Sequence, residues 1–257
     1  MAIHPSAVVD PGARIDPSAE VGPFCVVGDG VAIGARTRLK GHIFVEGPTT
    51  IGEDNLFYPF SSIGVASQDL KYEGEHAETQ IGNHNLIREF VTVHRGTKGG
   101  GAVTRVDDHN LLMAYSHVAH DCRVGSHVVL GHGATLGGHV HVGDHARVSA
   151  FVGVHQFCRI GAHSIIGGYA VITRDVMPFA MVSEEREAKM YRANSVGLER
   201  RGFAPEKIEA INKAFRFLRS ESLLADAIAR MRAELPESEE ITQLIEFIER
   251  SERGFIK

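Results

Sequence analysis

Residues 118–160 read Val118-Ala-His-Asp-Cys-Arg-Val124-Gly-Ser-His-Val-Val-Leu130-Gly-His-Gly-Ala-Thr-Leu136-Gly-Gly-His-Val-His-Val142-Gly-Asp-His-Ala-Arg-Val148-Ser-Ala-Phe-Val-Gly-Val154-His-Gln-Phe-Cys-Arg-Ile160. Every sixth residue is aliphatic, and the phase continues through Ile166 and Ile172. Traced backwards it runs from Ile63 to Ile3 by way of Phe57, Ile51, Val45, Leu39 and their predecessors. After a gap it resumes at Ile81, Ile87 and Val93, then shifts by one to Val106 and Leu112. Ile, Leu or Val holds 25 of these 26 positions in a chain that is 43% hydrophobic, so composition does not explain the period.

A helix repeats every 3.6 residues and a half-buried strand every two, so a period of six is neither alone. Three units closing a triangular coil of 18 residues satisfy it, each rung pointing inward onto its equivalent about 4.8 Å along the axis. Small residues stand two places before many rungs (Ala7, Cys25, Thr37, Ser116, Cys122, Ala134, Cys158), and Gly often follows a rung, where a bend can use its freedom. The fold read from this pattern is a parallel β-helix. Its hand is not written in the spacings, since ordinary parallel crossovers are right-handed.

At 257 residues with a net charge of −5 the chain can bury a core and is not a basic nucleic-acid binder. No apolar run reaches membrane-spanning length and residues 1–10 carry no signal-peptide pattern, so the expectation is a cytoplasmic protein without a transmembrane segment. Cys122 and Cys158 share a unit position two coils apart, beyond disulfide reach, and the three Cys read as small buried residues of a reduced compartment.

The repeat occupies residues 1–182, broken at about 65–80 and 94–105. Insertions in a solenoid form loops, often on the binding face. A linker rich in Arg186, Lys189, Arg192, Arg200 and Arg201 follows, and residues 183–257 are assigned to this linker and a C-terminal α-helical domain. Three helices are expected there: one from Pro205 (Ile208, Ile211, Phe215, Leu218), one with Leu223, Leu224, Ile228 and Met231, and one after Pro236 (Ile241, Leu244, Ile245, Ile248).

His127, His145 and His163 share one outer position on successive coils and read as a solvated polar column. A second set marks chemistry. Val118, Leu136 and Val154 are stacked rungs; His117 precedes the first, His120 follows it by two residues, His139 follows the second by three and His155 the third by one. Such a wall supports a general base, His120 with Asp121, since imidazole titrates near neutrality. It also supports zinc held by three His, or an ordinary polar face.

Longer motifs narrow these alternatives. Ser116-His-Val-Ala-His-Asp-Cys122, the Gln68-Asp-Leu-Lys-Tyr-Glu-Gly-Glu75 run behind Ile63, Ile87 to Thr97, His155-Gln-Phe-Cys158 and Gly197-Leu-Glu-Arg-Arg-Gly-Phe203 occur in order along nearly the whole chain. In these stretches the chain resembles the UDP-N-acetylglucosamine O-acyltransferases of lipid A biosynthesis, a family of hexapeptide-repeat enzymes. The resemblance implies a left-handed coil and a homotrimer with sites between subunits. It implies transfer of an (R)-3-hydroxyacyl group from the phosphopantetheine arm of acyl carrier protein to the 3-hydroxyl of UDP-N-acetylglucosamine, the first step of lipid A biosynthesis, without metal or other cofactor. A related acyltransferase acting on an amino group, of a 3-amino sugar analogue or in the N-acylation step of the same pathway, is the alternative.

By position, the resemblance makes His120 the base, Asp121 its partner and the Gly138 N–H the oxyanion donor. It assigns Asp69 and Lys71 to the nucleotide-sugar, and His117, His139, His155 and Gln156 to the sugar and acyl groups. Asn194, Arg200 and Arg201 fall to phosphate-bearing parts, and Gly168 to the far end of the acyl groove. The acidic acyl carrier protein is expected to dock on the cationic C-terminal region, including Lys213, Arg216 and Arg219. The chain departs from the family at Ser183–Lys189, one residue longer, and at Val196, where the family carries Glu.

Overall fold

The computed structural model describes residues 2–183 and 188–257, so Arg186 and the middle of the Ser183–Lys189 departure lie outside the described residues. Strands of two to four residues form three sheets of 11, 9 and 8 strands. Val118 pairs with Leu136 and Leu136 with Val154 in parallel register, so equivalent rungs stack one coil apart as the period demands. The architecture is a left-handed parallel β-helix with C-terminal helices. From Val21 to Ile172 every rung is buried, including the single aromatic one, Phe57. Ile3 at the first coil is exposed because no coil lies beneath it.

The breaks in the ladder follow from counting. Phe57 pairs with Ile87 and Ile63 with Val93, 30 residues apart instead of 18, so the first insertion adds 12 residues, two whole units, and leaves the phase intact. Ile81 pairs with Val106 and Ile87 with Leu112, 25 residues apart, so the second adds seven, and the phase shifts by one. Both leave the 9-stranded sheet, after Ser62–Val65 and Thr92–His94, and rejoin the chain in the 8-stranded sheet, at Glu78–Ile81 and Val103–Val106. The two loops therefore project from the same corner on adjacent coils.

From Phe24 onward most corners turn through one left-handed residue, and most of these are not Gly. Asp121 (φ 59°), His139 (60°) and Phe157 (66°) mark the insertion corner; His127, His145 and His163 (57° to 59°) mark another. The conformation costs roughly 1–2 kcal/mol per residue. Ring stacking at the coil spacing offsets it: His109, His127, His145 and His163 lie 4.7–4.8 Å apart in sequence, nearly parallel. The column read as solvated is thus a ring stack whose faces cover one another, and the His163 Nδ1 is buried without a partner among the described residues.

The end of the repeat region and the segment read as a linker build structure together. Ala180–Val182 extends the 11-stranded sheet in parallel, and Met190–Ala193 pairs with it antiparallel, closing an edge that would otherwise expose unpaired backbone. Helices α1 (Ser195–Arg200), α2 (Pro205–Ser220), α3 (Leu224–Glu234) and α4 (Glu239–Glu249) follow. Pro205 opens α2, whose buried face carries Ile208, Ile211, Phe215 and Leu218, and the Ser238 hydroxyl caps α4 by accepting the Ile241 N–H. Leu223, expected in the second helix, precedes α3 and is exposed. Buried Asp175 ties the tail back to the coil by accepting from the Arg159 N–H and the Ser251 hydroxyl, both at 2.8 Å. Among the described residues no helix is long and apolar enough to cross a membrane.

Candidate active site

His120 and Asp121 sit between the strands His117–Val118 and Arg123–Val124, on the corner from which both insertions project. The left-handed turn at Asp121 aims its side chain at the second insertion. There Oδ1 accepts the Thr97 N–H at 2.9 Å, and Oδ2 accepts the Thr97 hydroxyl at 2.6 Å. The same Oδ2 lies 2.8 Å from His120 Nδ1. A buried carboxylate accepts rather than donates, so Nδ1 carries the proton and the Nε2 lone pair is left free.

Gly138 lies on the next coil with the His120 ring against it; a Cβ there would meet the Cε1 and Nε2 atoms. Its N–H engages no acceptor among the described residues. A ring nitrogen with a free lone pair thus stands beside a residue whose amide has no acceptor among the described residues, groups of the kind that proton removal and oxyanion binding use.

The surrounding imidazoles stay neutral at neutral pH. Burial holds His117 and His139 below the ordinary histidine value, and burial, then His117 and His120, hold His94 down at about 4. His117 Nδ1 lies 2.7 Å from the Thr92 hydroxyl, and His139 stacks on Phe157 at 4.4 Å. His94 edges onto His117.

His120, Asp121 and His139 could also be read as a metal triad, their ligand atoms lying within 4.8 Å of one another. The fit is poor. Tetrahedral zinc ligands at about 2.0 Å from the ion stand roughly 3.3 Å apart, whereas His120 Nδ1 and Asp121 Oδ2 are at hydrogen-bond distance and that oxygen already takes the Thr97 hydroxyl. The donor set suits a proton between the pair.

Asp69, Lys71, His139 and Gln156 line one cavity at this corner, with Glu75, Thr97 and Lys98 from the two insertions. Glu75 clamps the loops together by accepting the Lys98 and Glu73 N–H groups. His155 is exposed next to Gln156. The structure does not bring the remaining assigned residues here. Asn194, Arg200 and Arg201 line a separate cavity against Arg147 and Ile165 of the 11-stranded sheet. Asn194 caps α1 and donates to the His163 carbonyl, while Arg201 donates to the carbonyls of Gly197 and His145. Gly168 lies at a different corner, facing the Ala150 carbonyl. In the expected docking region Lys213 and Arg216 pair with Glu234 and Glu209 of the same chain.

Burial excludes the thiols as nucleophiles: it pushes Cys122 up to about 12 and Cys158 to about 11, and all three Cys are free and buried. The sequence reading gave Thr97, His94, Glu75 and Lys98 no individual role, although Glu75, His94 and Thr97 fall within the motifs that carry the family resemblance.

Two family models match the chain: one described as bacterial transferase hexapeptide (six repeats), over residues 104–138 and 139–174, and one as UDP N-acetylglucosamine O-acyltransferase, domain 2, over 175–256. The acyl-[acyl-carrier-protein]–UDP-N-acetylglucosamine O-acyltransferase of Thermodesulfovibrio yellowstonii is 46% identical over 256 residues, 99% of each chain. The solved UDP-N-acetylglucosamine O-acyltransferase of Moraxella catarrhalis superposes with a TM-score of 0.96 at 40% identity over all of both chains. That of Bacteroides fragilis gives 0.97 at 37%, covering 99% of this chain and 100% of its own. With full-length identity of this order, and the coil, the insertions and the helical tail all in place, the chain belongs to the UDP-N-acetylglucosamine O-acyltransferase family.

Proposed function

We propose that the chain transfers an (R)-3-hydroxyacyl group from acyl carrier protein to the 3-hydroxyl of UDP-N-acetylglucosamine, with His120 as general base. The name of the Thermodesulfovibrio relative supplies donor and acceptor. The observation that carries the mechanism is the 2.8 Å contact between His120 Nδ1 and Asp121 Oδ2, which leaves Nε2 free beside Gly138.

His120 Nε2 takes the proton of the sugar hydroxyl as its oxygen attacks the thioester carbonyl. Asp121 holds the ring and balances the charge it gains. The Gly138 N–H receives the oxyanion of the tetrahedral intermediate. Collapse of that intermediate breaks the C–S bond, and the imidazolium returns its proton to the departing thiolate. Lys71, Asp69 and Gln156 lie in the same cavity as His139 and suit the polar sugar-nucleotide, and His155 is the exposed residue next to Gln156.

The reading includes a homotrimer. Asn194, Arg200 and Arg201 are guanidinium and amide donors suited to phosphate, yet within one chain they face a different cavity from His139. A neighbouring copy packed against the His edge completes the set. Sedimentation of the purified chain, run beside an acyl-transfer assay with hydroxyacyl carrier proteins of several lengths, tests both parts. A trimer with turnover supports the reading; an active monomer removes the shared site, and no turnover with any donor removes the activity. Including the 3-amino sugar analogue as acceptor separates O- from N-acylation.

A further inference from the structure

We infer that Thr97, through its hydroxyl, is the positioning residue that sets the orientation of Asp121 and thereby of His120; the inference rests on the base reading above. Thr97 is buried at the start of the second insertion and gives Asp121 two donors from one residue: its N–H to Oδ1 at 2.9 Å and its hydroxyl to Oδ2 at 2.6 Å. The Asp121 N–H in turn donates to the Thr104 hydroxyl on the far side of the same loop. A carboxylate turns freely about one bond unless both oxygens are held. Here Oδ2, the oxygen facing His120, is fixed by a charge-assisted bond that is independent of the imidazole.

The loop is shaped for this contact. The Thr97 carbonyl accepts the N–H groups of Gly100 and Ala102, folding residues 97–102 into a tight turn over the acid. Gly100 lies so near that a Cβ there would overlap the Asp121 side chain, so only glycine lets the turn close. The seven extra residues that shift the hexapeptide phase therefore have a use beyond substrate contact: they reach back and hold the acid of the dyad. Thr97 stays one residue removed from the reacting atoms.

The test compares Thr97→Val, Thr97→Ser, Gly100→Ala and His120→Ala by steady-state kinetics, with melting temperatures for each. Thr97→Val keeps the shape and the backbone donor and removes only the hydroxyl. It is expected to lower kcat roughly tenfold, the usual scale for a hydrogen bond to a charged group, with KM for the sugar nucleotide within twofold. Thr97→Ser restores most of the rate, and Gly100→Ala lowers kcat at least as far as Thr97→Val. The inference is overturned by a Thr97→Val enzyme with kcat within twofold of the parent, or by a loss that Ser does not restore. If His120→Ala itself stays active, the base reading falls independently; if His120→Ala is inactive while Thr97→Val is unaffected, only the role of Thr97 falls.

Discussion

His120 Nδ1 and Asp121 Oδ2 are 2.8 Å apart, and Oδ2 also receives the Thr97 hydroxyl. Two consecutive residues can meet in this way because Asp121 takes the left-handed corner position, which folds its side chain back toward the preceding ring. In the proposed mechanism the contact leaves Nε2 as the nitrogen that acts as base.

Replacing Asp121 by Asn tests that tautomer. With its oxygen held by the Thr97 N–H, the Asn amide presents NH₂ to His120 Nδ1, which must then accept, moving the ring proton to Nε2. Asp121→Asn is expected to lose about 10³ to 10⁴ in kcat, the scale seen when a base is locked in the wrong tautomer, and at least as much as Asp121→Ala. Steady-state rates check it; an Asn variant clearly faster than the Ala variant contradicts the tautomer argument.

Gly138→Ala places a methyl against His120 Cε1 and Nε2. The base nitrogen and the amide are displaced together, so kcat is expected to fall about 10² or more, the scale for losing an oxyanion donor. The buried rungs are untouched, so the melting temperature stays within a few degrees. Activity near the parent's would show that this amide is not part of the reacting space.

The His163 ring is held at about 4, chiefly by burial and then by His145 and Arg201. Unfolded, it takes its proton near 6.5; folded, only near 4. The unfolded state therefore binds more protons across that window, and stability falls as pH drops from about 6.5 toward 4. Phe accepts the same corner conformation at 151, 157 and 179, and the buried Nδ1 has no partner to lose among the described residues. His163→Phe is expected to raise the melting temperature at pH 5 relative to the parent while changing it little at pH 7.5. An equal shift at both pH values would rule out titration as the cause.

A Cβ at Gly168 meets only the Ala150 carbonyl oxygen, at 3.3 Å, a tight contact that asks the backbone to give by a few tenths of an ångström, and no other atom lies within 4 Å. If this position ends the acyl groove of the assembled enzyme, Gly168→Met shifts preference toward shorter donors, each lost methylene contact being worth about 0.8 kcal/mol. Competition between carrier proteins bearing chains of different length reads the effect. An unchanged ranking removes Gly168 from the groove.

The rungs were legible because burial acts on them one residue at a time: Val118, Leu136 and Val154 stack as their spacing requires. The position of the insertions was also legible, since the ladder breaks after Ile63 and Val93, rungs that stack on one another, so both loops leave by one corner, the one that carries His120. Thr97 was not, because its partner Asp121 lies 24 residues away and no period links a loop to a corner. The strand Met190–Ala193 escaped because exposed Tyr191 and Arg192 stand side by side between buried Met190 and Ala193, without the two-residue alternation that marks a strand. The His column was read in part: His127 is exposed, but the reading left out the stacking that half-buries His145 and His163 against the rings above and below.

The most direct measurement is acyl transfer by the purified chain and by His120→Ala, with UDP-N-acetylglucosamine and a hydroxyacyl carrier protein and the product identified by mass. The parent is expected to form the O-acylated nucleotide sugar, and His120→Ala to lose about 10² to 10⁴ in kcat while melting at the parent's temperature. A His120→Ala enzyme retaining more than about a tenth of the parent rate, against a loss of at least 10², would contradict the account.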